Sequence, residues 1–314
     1  MGSLANLAED VDTHEYIARA GGSGCLVSLE RHESIDIHRE ASRGIANLLS
    51  SFRHQATIIE DGVPGLVRLA FSQDEECCYN AAMSFRKLAP NLKSHPVLVY
   101  AGTYKALFHL MKLPHQNTQR QAAAALRDLS ANPEYKLRCA EDGGIPAMIE
   151  LVRQQADEEL QALGLAALRH VSMEDSLKQM IVQERALRPA LKAIASNNED
   201  IQLQCAGLLA NLSELAENHI AMVEDSAVVG LVTLSFSRNS EIQQDTARAL
   251  ANISSQQDAH VPMYKQGAFT SLVKLSECES DLTQKYSSMG IRFLSSDFEV
   301  RGRSCFTCII LQII

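Results

Sequence analysis

The sequence predicts an all-α fold built from stacked copies of one helical repeat, and three observations lead to that prediction. First, a phrase such as LANL returns every 40 to 42 residues. Its marker residues are Asn6, Asn47, Lys87, Asp128, His170, Asn211, Asn252 and Phe293. Second, an independent apolar series running from Leu26 to Leu272 keeps the same period. Third, the chain is 46% hydrophobic but only 5% aromatic, with no Trp, as close packing of helices favours.

Each repeat predicts three helices. A short helix ends at a glycine turn, as in HQATIIEDG (54–62), and a second helix follows it, as in VPGLVRLAFS (63–72). Pro64 and Pro146 stand at equivalent places just inside the second helix, where a missing N–H costs little. The third helix is the longest, as in EIQQDTARALANIS (241–254). Its apolar or small stripe comprises Ile242, Thr246, Ala247, Ala249, Leu250 and Ile253.

The organisation expected from this period is one solenoid over residues 1–300, with about seven repeats of about 41 residues. Residues 4–7 read as the tail of a third helix whose upstream turns are missing, so we expect a truncated first repeat and an incomplete N-terminus. Residues 301–314 break the period and predict an irregular apolar tail. Cys305 and Cys308 in that tail lack a second cysteine pair, which argues against zinc.

Composition limits the function classes. Asp and Glu number 38 against 29 Lys and Arg, giving a net charge of −9, which disfavours general binding to nucleic acid or anionic lipid. The eight cysteines show no regular short spacing, as in a reduced intracellular protein. No signal peptide opens the chain, and no apolar run reaches the roughly 18 residues of a membrane span. We expect a cytoplasmic protein, with the nucleus left open.

No arrangement of residues predicts catalysis or metal binding, so we expect no enzyme and no cofactor. His14, His54, His95, His219 and His260 each lie seven residues before the turn position. Stacked helices lie ~8–10 Å apart, so these rings cannot converge on one ion. They are predicted to be structural residues at the start of the short helix. The neighbouring thiols Cys77 and Cys78 are likewise predicted to be core residues.

Several segments resemble the armadillo repeat family: GGIPAMIEL (143–151), GVPGLVRL (62–69), QCAGLLANLS (204–213) and DTARALANIS (245–254). The resemblance covers nearly the whole chain. It implies a right-handed superhelix of stacked repeats whose third helices line a concave groove. In that family the groove commonly holds extended peptides of partner proteins.

The groove residues implied by the resemblance lie eight, four and zero residues before each marker, on one face of the third helix. The candidate partner-binding residues are Arg39, Arg43, Asn47, Tyr79, Lys87, Arg120, Asn211, Gln244, Arg248 and Asn252. Six positions of this face are basic and one is acidic. They predict binding of an extended acidic or acidic-apolar segment, with Asn bonding its backbone and Arg its carboxylates. The alternative is a solvated polar face without a ligand.

Nuclear import adaptors of this fold carry Trp four residues before each Asn. Here those positions hold Arg43, Met83, Ala124, Ala166, Gly207, Arg248 and Met289. The chain therefore resembles the catenin-like and vacuolar protein 8-like branches more closely. We expect a non-enzymatic protein–protein interaction scaffold, without a small-molecule substrate and with nucleic acid at most a minor ligand. The alternatives are a membrane-tethered organiser whose anchor lies in a missing N-terminus, or a structural part of a ciliary or other assembly.

Overall fold

The computed structural model describes residues 2–30, 32–51, 55–56, 58–154, 156–297 and 300. Every regular element in these ranges is helical, which confirms the all-α prediction. Seven successive repeats follow a leading helix, Gly2–Leu7. His54 and the predicted tail 301–314, including Cys305 and Cys308, lie outside the described residues. No helix in the described ranges is long and apolar enough to cross a membrane.

The helices of each repeat occur in the predicted order of short, second and third. The third helices are Ile35–Leu48, Glu75–Leu88, Gln116–Ser130, Glu158–Val171, Glu199–Leu212, Ser240–Ile253 and Asp281–Ser295. The second helices are Gly22–Leu29, Val63–Leu69, Thr103–Leu110, Gly144–Val152, Leu187–Ala193, Ala227–Leu234 and Ala268–Ser276. The short helices are His14–Arg19, His95–Tyr100, Lys136–Glu141, Asp175–Gln183, His219–Glu224 and His260–Lys265, and the second repeat has a π-helical turn, Ile58–Gly62, in this place.

Two compact units divide the chain, the N-terminal unit Met1–Ala147 and the C-terminal unit Met148–Ile314. In the N-terminal unit, Gly2–Leu7 packs against the first third helix, and the next two third helices follow side by side. In the C-terminal unit, the third helices of repeats four to seven pack in the same serial manner. One solenoid over residues 1–300 stays a prediction.

The core of each unit is the apolar stripe of the third helices. All six predicted stripe residues of Ser240–Ile253 are buried. Glycine permits close approaches between the helices: a Cβ at Gly44 would lie 2.9 Å from Leu26 Cδ1, and one at Gly290 would lie 2.8 Å from Leu272 Cδ1. Burying each such Leu side chain stabilises the fold by roughly 1.5–3 kcal/mol. Glycines on the third helix therefore leave room for the leucine side chains of the second helix to pack against it.

The turn between the short and second helices recurs with a left-handed backbone. Glycine takes this conformation at Gly21, Gly102, Gly143 and Gly267. Arg185 and Ser226 occupy the equivalent places in repeats five and six, with φ of 63° and 67°. A side chain in the left-handed region costs about 1–2 kcal/mol, which glycine avoids. These two turns are therefore strained where the others are not.

The recurring histidines are structural, as predicted. In four of them the ring Nε2 donates a hydrogen bond of 2.6–2.8 Å to the carbonyl oxygen six residues earlier. The pairs are His14 with Ala8, His95 with Ala89, His219 with Ser213 and His260 with Ser254. Each bond satisfies a carbonyl that the end of a preceding helix leaves unpaired. The histidine thereby fixes the short helix against the third helix of the repeat before it.

The two neighbouring cysteines, Cys77 and Cys78, are buried in the third helix of the second repeat, which confirms the core prediction. Burial raises the pKa of the Cys77 thiol to about 12, and it also raises the pKa of Cys78. A thiol must ionise to act as a nucleophile or metal ligand. These two groups stay protonated at neutral pH and act as small apolar side chains.

Candidate partner-binding faces

Arg39 joins the first and second repeats of the N-terminal unit. Its Nε and Nη2 donate to Asp74 Oδ2 at 2.9 and 2.6 Å, and its Nη1 donates to Asp36 Oδ1 at 3.2 Å. Asp74 also caps the next third helix by accepting a 3.0 Å bond from the N–H of Cys77. The hydrogen bond from Arg39 lowers the pKa of Asp74 to about 2. The sequence placed Arg39 on the face but did not indicate this buried partner.

Arg43 lies one turn further along the same helix and reaches the residues before it. Its Nη1 donates to Glu9 Oε1 at 2.6 Å. Its Nη2 donates to Asn6 Oδ1 and to Glu40 Oε2, both at 2.7 Å. Arg39 and Arg43 thus extend in opposite directions along the stack. Both guanidinium groups are oriented by oxygens of this chain.

Lys87, another predicted site residue, caps the preceding third helix. Its Nζ donates to the carbonyl oxygen of Ala46 at 2.6 Å and to Ser50 Oγ at 2.8 Å. Burial lowers its pKa, and the nearby charge of Arg86 lowers it further. A cation at a helix C-terminus compensates unpaired carbonyl groups. Lys87 therefore supports the face by holding two repeats together.

A cavity of about 790 Å³ opens on this face of the N-terminal unit. Arg39 and Tyr79 contribute to its walls, and Asp74, Glu75 and Glu76 supply three consecutive carboxylates. The remaining lining residues are Pro114, His115, Gln116, Asn117 and Thr118, and His115 Nδ1 lies 2.9 Å from Glu75 Oε1. The cavity therefore presents charges of both signs beside one aromatic ring. Asn47 and Arg120 are half-buried and do not line it.

The predicted asparagines of the C-terminal unit bond to the preceding repeat. Asn211 is nearly buried, and its Nδ2 donates to Ser172 Oγ at 3.0 Å and to the carbonyl oxygen of Arg169 at 3.3 Å. Asn252 repeats the pattern one step later, donating to Ser213 Oγ at 3.1 Å. Asn211 Oδ1 in turn accepts a 3.2 Å bond from Arg248. Both the nitrogen and the oxygen of the Asn211 side-chain amide therefore form hydrogen bonds within this chain.

Arg248 is the centre of a charge network in the C-terminal unit. Its Nη1 donates to Glu214 Oε1 at 2.5 Å, and its Nη2 donates to Asp245 Oδ1 at 2.9 Å. Glu214 also accepts a 2.7 Å bond from the buried ammonium of Lys178. Gln244, a predicted site residue one turn before Arg248, is half-buried. The basic residues here are matched by carboxylates that the sequence pattern did not place on the face.

Arg169 is a residue of this face that the sequence analysis missed. Its Nη2 lies 3.4 Å from Asp245 Oδ2, a residue two repeats further along. The side chain crosses the intervening helix at Gly207, where a Cβ would lie 2.1 Å from Arg169 Nε. Glycine within a helix is unfavourable by roughly 1 kcal/mol relative to alanine. An unexplained mid-helix glycine at a face position was the signal that could have indicated a crossing side chain.

Similarity to known proteins agrees with the repeat structure. The family model Armadillo/beta-catenin-like repeat matches residues 175–214, which are the fifth repeat. Vacuolar protein 8 of Schizosaccharomyces pombe is 28% identical over 138 residues, covering 43% of this chain and 24% of that protein. Armadillo repeat-containing protein 3 of Homo sapiens is 25% identical over 202 residues, covering 63% of this chain and 23% of that protein. The chain therefore spans about a quarter of the length of these relatives.

Solved structures match over a larger part of the chain. The crystal structure of an engineered protein superposes with a TM-score of 0.82 at 28% identity, covering 93% of this chain and 73% of that one. A set of computationally designed armadillo repeat proteins for modular peptide recognition gives a TM-score of 0.69 at 22% identity, covering 74% and 99%. The second likeness concerns the fold alone. Together with the family match, these similarities confirm the predicted resemblance to armadillo repeat proteins and the predicted fold class.

Proposed function

We propose that this chain, which resembles armadillo repeat proteins, is a non-enzymatic scaffold that holds extended segments of other proteins against its third helices. One observation carries the proposal: half-buried Arg39 and Arg43 on the first third helix, and Arg248 on the sixth, are held in fixed orientations by carboxylates of this chain. Preorganised side chains lower the entropic cost of binding. Arg39 and Arg43, one turn apart on one helix, suit an extended ligand better than a compact one.

The partner segment we propose is acidic. Asp74 is largely buried and keeps Arg39 oriented, whereas Glu9, which bonds Arg43, is exposed. Exposed ion pairs contribute only about 0–1 kcal/mol, so a partner carboxylate can replace Glu9 at little cost. Arginine then offers that carboxylate two parallel N–H groups. The interaction would exchange one surface pair for another while burying the partner's backbone.

An apolar component of the partner is supported by the seventh repeat. Met289 and Phe293 lie one turn apart on the third helix Asp281–Ser295, and both side chains are exposed. Lys285 lies one turn before Met289 and is also exposed. A cation followed by two exposed apolar side chains suits a segment that combines acidic and apolar residues. The side-chain amides of Asn211 and Asn252 already donate hydrogen bonds to groups of this chain. We therefore expect the partner's side chains, rather than its backbone, to supply most of the affinity in the C-terminal unit.

A second candidate is favoured by the mixed cavity of the N-terminal unit. Glu75 and Glu76 stand beside the aromatic ring of Tyr79 in its walls. A lysine or arginine side chain could place its cation against the carboxylates and its stem against the ring. The same unit would then bind a basic segment, opposite in charge to the first candidate.

Selection from a random peptide library displayed on phage distinguishes these candidates. We expect the wild-type chain to enrich peptides rich in Asp and Glu. The double variant Arg39→Gln/Arg43→Gln should bind those peptides about tenfold more weakly. Neutral glutamine is preferable to glutamate, which would face Asp74 and Glu9 and destabilise the fold.

The matched control is Arg19→Gln, which removes an exposed cation on the short helix of the first repeat. This variant should bind the selected peptides as the wild type does. Enrichment of Lys and Arg, lost in Glu75→Gln/Glu76→Gln, would instead support the basic-segment candidate. Selection without any charge preference would contradict both candidates.

A further inference from the structure

A second cavity, of about 420 Å³, lies in the C-terminal unit beside the second helices of the fourth and fifth repeats. Its six lining residues are Val152, Arg153, Arg185, Arg188, Pro189 and Lys192. Four of them are cationic and none is acidic, although the chain carries a net charge of −9. Such a concentration of one sign of charge in a concave site creates a strong local potential.

The four cations differ in how they are held. Arg153, directly after the second helix Gly144–Val152, bonds Glu150 of that helix, and Arg188 Nε donates to Asp225 Oδ1 at 2.9 Å. Both arginines keep exposed side chains, so these pairs are weak. Among the residues that the structure describes, no carboxylate lies within salt-bridge distance of Arg185 or Lys192. The cavity therefore retains positive charge at Arg185 and Lys192, although Glu224 and Asp225 line an adjoining cavity that shares Arg188 and Lys192.

The backbone at Arg185 adds an independent observation. Its φ of 63° lies in the left-handed region, at the turn position that glycine occupies in four other repeats. Glycine would form this turn without strain. The arginine therefore does not serve the turn, but it does place a guanidinium at the wall of the cavity. Ser226 shares this strained conformation, so the place of the Arg185 guanidinium in the cavity wall, together with the strain, supports a local role for the side chain.

We propose that this cavity binds a phosphorylated side chain of a partner protein. A phosphate monoester carries a charge of about −1.5 to −2 at neutral pH and three acceptor oxygens. Arginine pairs with it through two parallel N–H groups, and clustered arginines recognise phosphorylated motifs. The apolar walls, Val152 and Pro189, can contact the neighbouring residues of the peptide.

The charge of the whole chain favours this source of phosphate over a membrane surface. Anionic lipid attracts proteins through clusters of basic residues near the bilayer and repels acidic surfaces. The cavity is confined to one place on a chain with a net charge of −9. A phosphorylated side chain can enter it without bringing a large anionic surface near the rest of the protein. The site uses different helices from the third-helix faces and does not depend on their function.

Fluorescence anisotropy with the full chain tests this site. The probe is a labelled peptide with one phosphoserine between glutamates, and the reference is the same peptide without phosphate. We expect the phosphorylated form to bind at least about tenfold more tightly, with an affinity that falls as salt is added. Equal binding of the two peptides would overturn the proposal.

Variants locate the site and separate binding from folding. Arg185→Gly should weaken phosphopeptide binding about tenfold while raising the melting temperature, because it removes a cation and relieves the strained turn. Lys192→Gln should weaken binding similarly without that stabilisation. Asp225→Asn should strengthen binding about threefold by releasing Arg188. Unchanged binding in Arg185→Gly and Lys192→Gln would contradict the assignment.

Two controls complete the design. Lys265→Gln removes an exposed cation elsewhere in the same unit and should leave binding unchanged. The double variant Arg39→Gln/Arg43→Gln should also bind the phosphopeptide normally, so failure of the third-helix proposal is distinguishable from failure of this one. Vesicles of phosphatidylcholine containing phosphatidylinositol bisphosphate are the alternative probe. Binding to these vesicles, dependent on Arg185 and without phosphopeptide binding, would overturn the proposal in favour of a lipid headgroup.

Discussion

Two groups of cations in the C-terminal unit differ in what surrounds them. Lys178, Arg169 and Arg248 contact the third-helix network, where Glu214 and Asp245 accept their hydrogen bonds. No acidic residue lines the 420 Å³ cavity, and two of its four cations, Arg153 and Arg188, have only exposed ion pairs. The first group joins repeats, whereas the second leaves charge available to a ligand. A basic residue in the sequence therefore does not by itself indicate a binding site.

The difference follows from packing. Third helices lie side by side, so a charged group between them loses water and requires a hydrogen-bonded partner. The Asp245 carboxylate is only 10% exposed and receives bonds from both Arg169 and Arg248. Arg185 and Lys192, by contrast, are exposed, and water can solvate their charges. Unmatched cations are therefore tolerated at the second helices and costly at the third.

The largest effect on stability should come from removing the buried carboxylate of Asp245. Asp245→Ala leaves Arg169 and Arg248 without their shared acceptor, and we expect a loss of about 3 kcal/mol in the free energy of unfolding. Urea denaturation followed by circular dichroism measures this loss. Glu241→Gln, an exposed change on the same helix, should alter stability by less than about 0.5 kcal/mol. Equal effects in the two variants would contradict a structural role for the network.

A smaller effect should appear with pH in the N-terminal unit. Hydrogen bonding from Arg39 lowers the pKa of Asp74 from 3.8 to about 2. The resulting stabilisation is present above pH 4 and is lost as pH falls towards 2, when the folded carboxylate takes up a proton. Because Arg39 is partly exposed, solvent screens the pair, and we expect only a small part of the total stability to be lost in this way. In Arg39→Gln this part of the acid destabilisation should disappear, and an unchanged pH profile would exclude the pairing.

The smallest effect concerns the strained turns. Ser226→Gly should stabilise the chain by about 0.5 kcal/mol, because relief of the left-handed strain exceeds the added freedom of the unfolded glycine. Thermal unfolding of the variant beside the wild type measures the change. The matched change Gly267→Ser, at the same position of the next repeat, should destabilise by a similar amount or more. A stabilising effect of Gly267→Ser would refute the strain argument.

The repeat period allowed most of the fold to be predicted, because each helix meets equivalent neighbours. The stripe on Ser240–Ile253 and the histidines at the start of the short helices depend on such neighbours, and both predictions are confirmed. The site residues depend instead on what differs between repeats. Arg169 crosses Gly207 to reach a carboxylate 76 residues away, and no periodic pattern contains that contact.

The cavity at the second helices was also beyond the sequence pattern. Arg185 stands where other repeats have glycine, and without the backbone angle its position reads as an ordinary turn. Arg153 and Lys192 lie on different repeats, so only their packing brings them to one cavity. An alignment of the repeats would have shown which basic residues have no counterpart in the other repeats, and this would have shortened the list of candidate ligand-binding residues. It could not have shown which of these cations pair with a carboxylate, as Arg188 does with Asp225.

Competition between two ligands tests the central claim most directly. The acidic peptide selected on the third-helix face is added to saturation, and the affinity of the phosphoserine peptide is then measured by anisotropy. Two separate recognition surfaces predict that this affinity is unchanged. Displacement of the phosphopeptide by the acidic peptide would show that both compete for one basic site, and it would contradict the distinction between matched and unmatched cations.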